Sequence, residues 1–335
     1  MTDAQQVHRD SIIIDGTSPL LQRRHYVSAY AEGGVTCVAP TVGGKQSVAQ
    51  TVQHMGSWLR YIATRPDKLI HVKSAADIEK AKSEGKLGLL FHFQGSVSFE
   101  QDLDLVEAYH ALGLRMAMLC YNVRDFVGDG CEEMSNSGLS RFGRRLVQRL
   151  NENRIIVDVT HTGFRTTMEA MEISSQPVVF SHSNARALLD LQRNITDEQA
   201  RAVAATGGLV GCTLVPYFVV RGRRPTLDDF VDHIAHFAEV AGIDHVGIGL
   251  DFWWGQQPFV SDAEAEANWQ SMIDAGIWEE ANYPKPPHYY PEGLHTPAEM
   301  AGLTATLLRR GFSVEETKKI LGGNWLRVCR EIWGA

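Results

Sequence analysis

The segments Ile155-Ile156-Val157-Asp158-Val159-Thr160-His161 and Pro177-Val178-Val179-Phe180-Ser181-His182 each run through apolar, β-branched residues and stop on a histidine. Between them lies room for one helix and one turn. That spacing predicts two consecutive parallel strands with their imidazoles at equivalent ends. Adjacent strands lie about 4.8 Å apart, so both rings can reach one ion, and a neutral imidazole is a good zinc ligand.

Six more runs share this character, at 11–15, 35–41, 87–94, 115–121, 208–215 and 245–252. Near-continuous Val, Ile and Leu mark parallel strands covered on both faces. Amphipathic stretches at 139–153, 197–205 and 227–241 separate them. Cap signals stand at Thr196 with Gln199, Thr296 with Pro297 and Glu299, and Ser313 with Glu316. Eight strand–helix alternations predict an α/β fold, a closed (β/α)8 TIM barrel rather than an open doubly wound sheet. One domain is expected over 1–335, with a long aromatic-rich excursion at 253–295 after the eighth strand. A loop of that length is functional or partly helical. Its place over the barrel mouth suggests a lid, a subunit contact, or a helical excursion packed on the barrel.

Composition bounds the partners. Hydrophobic residues make up 44% of the 335 and charged residues 21%, enough for a large core. A net charge of −8 argues against nucleic acid and anionic membrane. The five cysteines are scattered without a CxxC pair, as in a reduced intracellular chain. No signal region is legible at the start, and no apolar run reaches the roughly 20 residues of a membrane helix. The expectation is a cytoplasmic protein acting on a small molecule, with a homodimer compatible.

In a barrel of this kind the active site lies at the C-terminal ends of the strands. Reading those ends gives Gln94, Tyr121, Asn122, His161, His182 and Asp251. His161, His182, Gln94 and Asp251 can hold a zinc ion, which lowers the pKa of its bound water to about 7. Asp251 can also shuttle the proton, while Tyr121 can donate to a developing oxyanion. Asn122 is a candidate substrate contact. His92 lies two residues before Gln94 and so shares its interior face. It can contact Gln94 from below, reach the metal, or simply pack in the core.

On Leu119-Cys120-Tyr121-Asn122-Val123, Val157-Asp158-Val159-Thr160-His161, Phe180-Ser181-His182-Ser183-Asn184-Ala185-Arg186 and Val246-Gly247-Ile248-Gly249-Leu250-Asp251, the chain resembles the membrane (renal) dipeptidase family, zinc-dependent barrels of the amidohydrolase type. The resemblance implies two zinc ions, held by His-x-Asp on the first strand, a bridging Glu on the third, histidines on the fifth and sixth, and Asp on the eighth. His161 and His182 match those histidines, and Asp251 matches the catalytic aspartate. Arg193 matches an arginine that binds the substrate carboxylate. The chain departs where the first strand reads Asp15-Gly16-Thr17-Ser18-Pro19, and where Gln94 replaces the bridging Glu. One zinc is therefore expected rather than two. The resulting reading is a metal-dependent hydrolase of an amide-type bond in a small carboxylate-bearing substrate. A non-peptide hydrolase or lyase on the same barrel, or a catalytically silent binding protein, are the alternatives.

Overall fold

The computed structural model describes residues 3–334. Its strands are β1 (Ile14–Ser18), β2 (Cys37–Gly43), β3 (Leu69–His71), β4 (Leu87–Leu89), β5 (Phe91–Phe93), β6 (Leu114–Met118), β7 (Ile156–Asp158), β8 (Val178–Phe180), β9 (Leu209–Cys212) and β10 (Val246–Ile248). All neighbours pair in parallel, and β1 closes the ring by pairing with both β10 and β2. β4 and β5 are two halves of one barrel strand, since β2 pairs with each in turn. Eight strand positions therefore form a closed (β/α)8 barrel. β3 pairs only with β4 and lies outside the eight. The sequence reading has no strand there, because Leu69-Ile70-His71 is too short and too exposed to show a period.

Inside, the period of two sorts the side chains by height. Leu90, Ile156 and Val179 join Ile14, Ala39, Met116 and Leu209 in an apolar cluster that includes Trp325. Two residues further along the same strands come His92, Asp158 and Ser181, all buried. The polar site is thus built directly on an apolar floor. Trp325 donates from Nε1 to the Ile248 carbonyl at 2.9 Å. Its ring is accommodated by Gly16 and Gly247, where a Cβ would lie 2.4 and 2.9 Å from it.

The helices follow the cap chemistry. Asp197–Ala205 begins on a capping box between Thr196 and Gln199, and Val314–Lys318 on one between Ser313 and Glu316. Leu227–Ala241 has the expected bounds, and the stretch read at 139–153 is helical over Arg141–Glu152. Thr296 makes no side-chain cap, and a 3-10 turn, Pro297–Glu299, follows it. The excursion contains one helix, Asp262–Asp274. Its Trp269, Trp278 and Tyr283 join Val215, Tyr217 and Phe218 in an apolar cluster of their own. Among the described residues no helix is long and apolar enough to cross a membrane.

Candidate active site

Strand β7 ends at Asp158, short of the continuous run to His161 that the sequence suggests. Asp158 Oδ1 accepts from the backbone N–H of Thr160 at 2.9 Å and of Ser181 at 3.0 Å, which turns the chain. His161 then sits at φ 64°, Asn122 at φ 59° and Asp251 at φ 57°. Left-handed backbone is uncommon for residues with a Cβ and concentrates at functional sites. All three belong to one mouth.

The Nε2 atoms of His161 and His182 stand 3.0 Å apart. Their other nitrogens fix the tautomers. His161 Nδ1 lies 2.5 Å from Asn122 Oδ1, whose own amide nitrogen donates to the Tyr283 hydroxyl at 2.9 Å and the Ile277 carbonyl at 3.1 Å. The oxygen therefore accepts, and His161 Nδ1 carries the proton. His182 Nδ1 lies 2.7 Å from Ser181 Oγ, whose proton goes to Asp158 Oδ2 at 2.5 Å. His182 Nδ1 must donate as well. Both Nε2 atoms are consequently unprotonated and face each other, and the one neighbouring donor is Arg193, 3.2 Å from His161 Nε2. Burial, reinforced by the nearby Arg193 charge, holds both rings well below the usual imidazole range, so both are neutral. Facing lone pairs call for a shared electrophile, which is the chemistry of a metal seat.

The remaining groups are placed unequally around this pair. Asp251 Oδ2 lies 3.9 Å from His182 Nε2, and burial lifts its carboxyl to about 7 against the pull of Arg193, Lys45 and Gln94. Gln94 donates from Nε2 to Thr17 Oγ1 at 3.0 Å. Among the described residues no group of three or more His, Cys, Asp or Glu side chains has metal-holding geometry. Two imidazoles thus fit an ion on their own account, while the mouth around Thr17, Pro19 and Gln94 offers no carboxylate bridge. His92 neither reaches the pair nor touches Gln94 directly. Its Nε2 lies 3.0 Å from Asp158 Oδ2 and its Nδ1 3.4 Å from Thr17 Oγ1. The donors converging on Asp158 hold its carboxyl far below the usual range despite its burial.

Tyr121 stacks on the His161 ring at 4.0 Å, and its hydroxyl accepts from Trp278 Nε1 at 3.3 Å. Asn122 is buried and its amide is fully engaged, so it supports His161 from behind instead of facing the cavity. Arg193 is also buried behind the pair. It donates to the His182 carbonyl at 2.8 Å, to His161 Nε2 at 3.2 Å and to Ser183 Oγ at 3.3 Å. It lines a second cavity of about 230 Å³ with Cys131, Thr162 and Gln192, on the far side of His161.

The main cavity, about 320 Å³, is walled by Gln94, Tyr121, His161 and Asp251, and by Trp253, Trp278 and Tyr283 of the excursion. Lys45 lines it too, and sequence reasoning missed it. The apolar run at 35–41 stops two residues before the end of β2, so Lys45, the first side chain after Gly43-Gly44, falls outside the strand-end set. Glu132 was missed as well. It anchors the excursion by accepting from Asn282 Nδ2 at 3.1 Å and from the Glu279 backbone at 3.2 Å.

A closed parallel barrel with paired neutral imidazoles and a carboxylate at its C-terminal mouth defines a barrel of the amidohydrolase type. The sequence model of the membrane dipeptidase family (peptidase family M19) matches residues 1–275, and the chain belongs to that family. It is 33% identical to an amidohydrolase from Pseudomonas aeruginosa, over the whole of both chains, with a TM-score of 0.87. Dipeptidase tcpJ of Claviceps purpurea (strain 20.1) is 26% identical over 289 residues, 85% of this chain. The chain spans 60% of that relative's length. A metallo peptidase from Rhodobacter sphaeroides, liganded with a phosphinate mimic of L-Ala-D-Ala, shares the fold at 20% identity and a TM-score of 0.79, covering 97% of this chain and 100% of that one.

Proposed function

We propose that this protein is a metal-dependent hydrolase that cleaves an amide-type bond in a small carboxylate-bearing substrate, with one zinc ion per chain. The observation that carries the reading is the pair of unprotonated Nε2 atoms 3.0 Å apart. His161 and His182 would hold the ion, with Asp251 and Gln94 the next donors at hand. When bound, zinc supplies Lewis acidity and a water that ionises near neutral pH. Asp251, lifted to about 7 by burial, suits proton acceptance and return at ordinary pH. Burial pushes the Tyr121 phenol up, so it keeps its proton for donation to an oxyanion. Burial, helped by Arg193, keeps the imidazoles neutral, and the guanidinium is open to a substrate carboxylate that reaches the cavity behind His161. The tryptophan and tyrosine wall favours an apolar or flat group beside the scissile bond, and ordinary small dipeptides are expected to bind but to turn over slowly, because one ion must both activate water and polarise the carbonyl. We place the enzyme in the cytoplasm.

A panel of L,L and L,D dipeptides and N-acyl amino acids, assayed with zinc, manganese and cobalt, tests this. Metal-dependent cleavage of an amide that disappears in Asp251→Asn is expected. A protein that binds no transition metal would overturn the reading.

A further inference from the structure

Strand β2 delivers a cation to the mouth. The chain crosses the end of β5 through Gly44, whose N–H donates to Ser98 Oγ at 2.9 Å and whose carbonyl accepts from Val97 at 2.9 Å. Gly44 has φ +116°, and a Cβ there would lie 2.7 Å from the Gln94 carbonyl carbon. Only glycine fits that crossing, and it fixes where Lys45 begins. The Lys45 ammonium lies 3.0 Å from the centroid of the Tyr121 ring, the same ring that stacks on His161. Among the described residues it has no ion-pair or hydrogen-bond partner; burial lowers its pKa to about 7 while Asp251, beyond contact distance, pulls the other way, and an anionic ligand beside it would favour the charged form further. Asp251 is the one acidic side chain in the wall of this cavity.

An ammonium carries three donors, and a π face satisfies none of them as an acceptor would. Cation–π attraction sets the direction of the group without consuming its N–H bonds. The residue is exposed, and its ammonium turns into the cavity with its three N–H bonds unspent. A ligand oxygen in this cavity, beside His161 and Asp251, accepts a charge-assisted hydrogen bond from it.

We propose that Lys45 is a catalytic residue that holds the developing oxyanion of the substrate in the cavity it shares with His161 and Asp251. Here the hydrolytic reading supplies the identity of the anion, a tetrahedral oxyanion formed from the scissile carbonyl. Tyr121 lies beneath the ammonium and keeps it aimed.

The phosphinate mimic of L-Ala-D-Ala, a stable tetrahedral anion, is the probe. Its affinity is measured by calorimetry for zinc-loaded and metal-free wild type, Lys45→Met and Lys45→Arg, alongside zinc content and thermal midpoint. Removing one oxyanion donor typically costs on the order of 100-fold, so Lys45→Met is expected to weaken the phosphinate by roughly 30-fold or more, with zinc content unchanged. Lys45→Arg, which keeps the charge, is expected to recover most of the loss. A Lys45→Met protein that binds within about twofold of wild type overturns the proposal, because a lost oxyanion contact costs far more than that. Equal losses in both variants, or a wild type that does not bind the phosphinate, overturn it too. The two readings separate cleanly. Phosphinate binding that depends on Lys45, in a protein that cleaves no amide, leaves the anion site standing and removes amide hydrolysis. Amide cleavage indifferent to Lys45→Met removes only the role of Lys45.

Discussion

Asn122 Oδ1 lies 2.5 Å from His161 Nδ1, and this contact joins the imidazole pair to the excursion above it. The same amide donates to the Tyr283 hydroxyl, and Tyr283 stacks on Trp278 at 4.4 Å with the planes 5° apart. Trp278 donates to Tyr121, which lies against His161 and so closes a ring of five side chains. Two of the five come from the excursion. A segment that merely packed on the barrel would not set the tautomer and tilt of a candidate ligand.

Breaking that ring at Asn122 should show in metal affinity. Partners that orient a ligating histidine are typically worth 10–100-fold in affinity, so Asn122→Leu is expected to weaken zinc by about that factor. Tyr283→Phe keeps the amide–imidazole bond and should cost much less. Competition with a zinc-sensitive dye measures both. Wild-type affinity in Asn122→Leu would mean the ring is only packing.

Stoichiometry gives a second test. The imidazole pair is expected to hold one zinc per chain, and His161→Ala or His182→Ala to abolish it. Elemental analysis after dialysis reads this directly. Two equivalents in the wild type would send the search to His25 and His92 for ligands that the present geometry does not bring together.

The barrel was legible because period and burial coincide in it. Runs such as Ile155 to Val159 are apolar throughout, and their spacing leaves room for helices and little else. The candidate ligands were legible because they sit where those runs stop. Three features were not. The turn after Asp158 depends on a carboxylate capping two backbone N–H groups, a contact the alternation pattern does not encode. Lys45 follows two glycines that carry no pattern. The excursion partners of Asn122 and Glu132 lie about 150 residues away in the chain, and only the closed fold brings them together.

The floor of the site should be sensitive to volume. Trp325 is 2% exposed, and its indole is seated between Gly16 and Gly247. Truncating a buried tryptophan usually costs about 3–5 kcal/mol, and Trp325→Ala should fall in that range. Gly247→Ala should destabilise as well, since its Cβ would crowd the ring. Urea denaturation with an unchanged slope checks both. A loss below about 1 kcal/mol for Trp325→Ala would mean that the region collapses to fill the gap.

Glu132 gives the excursion a pH response of unusual sign. Its residue is 6% exposed, and burial lifts the carboxyl from 4.5 to about 7, with Asn282 and the Glu279 N–H pulling the other way. Between those two values the folded protein keeps a proton that the unfolded chain has released. Stability contributed by this group is therefore greatest below about pH 4.5, declines as pH rises through 7, and is level above that. At 1.36 kcal/mol per pKa unit the span is at most ~3 kcal/mol, and water entry would reduce it. Glu132→Gln cannot ionise, so the stability of wild type relative to this variant should fall between pH 4 and pH 8, by roughly 1–3 kcal/mol. Taking the difference cancels the other raised carboxyls, Asp15, Asp125 and Asp251, which both proteins share. Urea midpoints across that range give the two curves. Parallel curves would show that Glu132 is ionised at neutral pH and that its two donors, rather than burial, govern it.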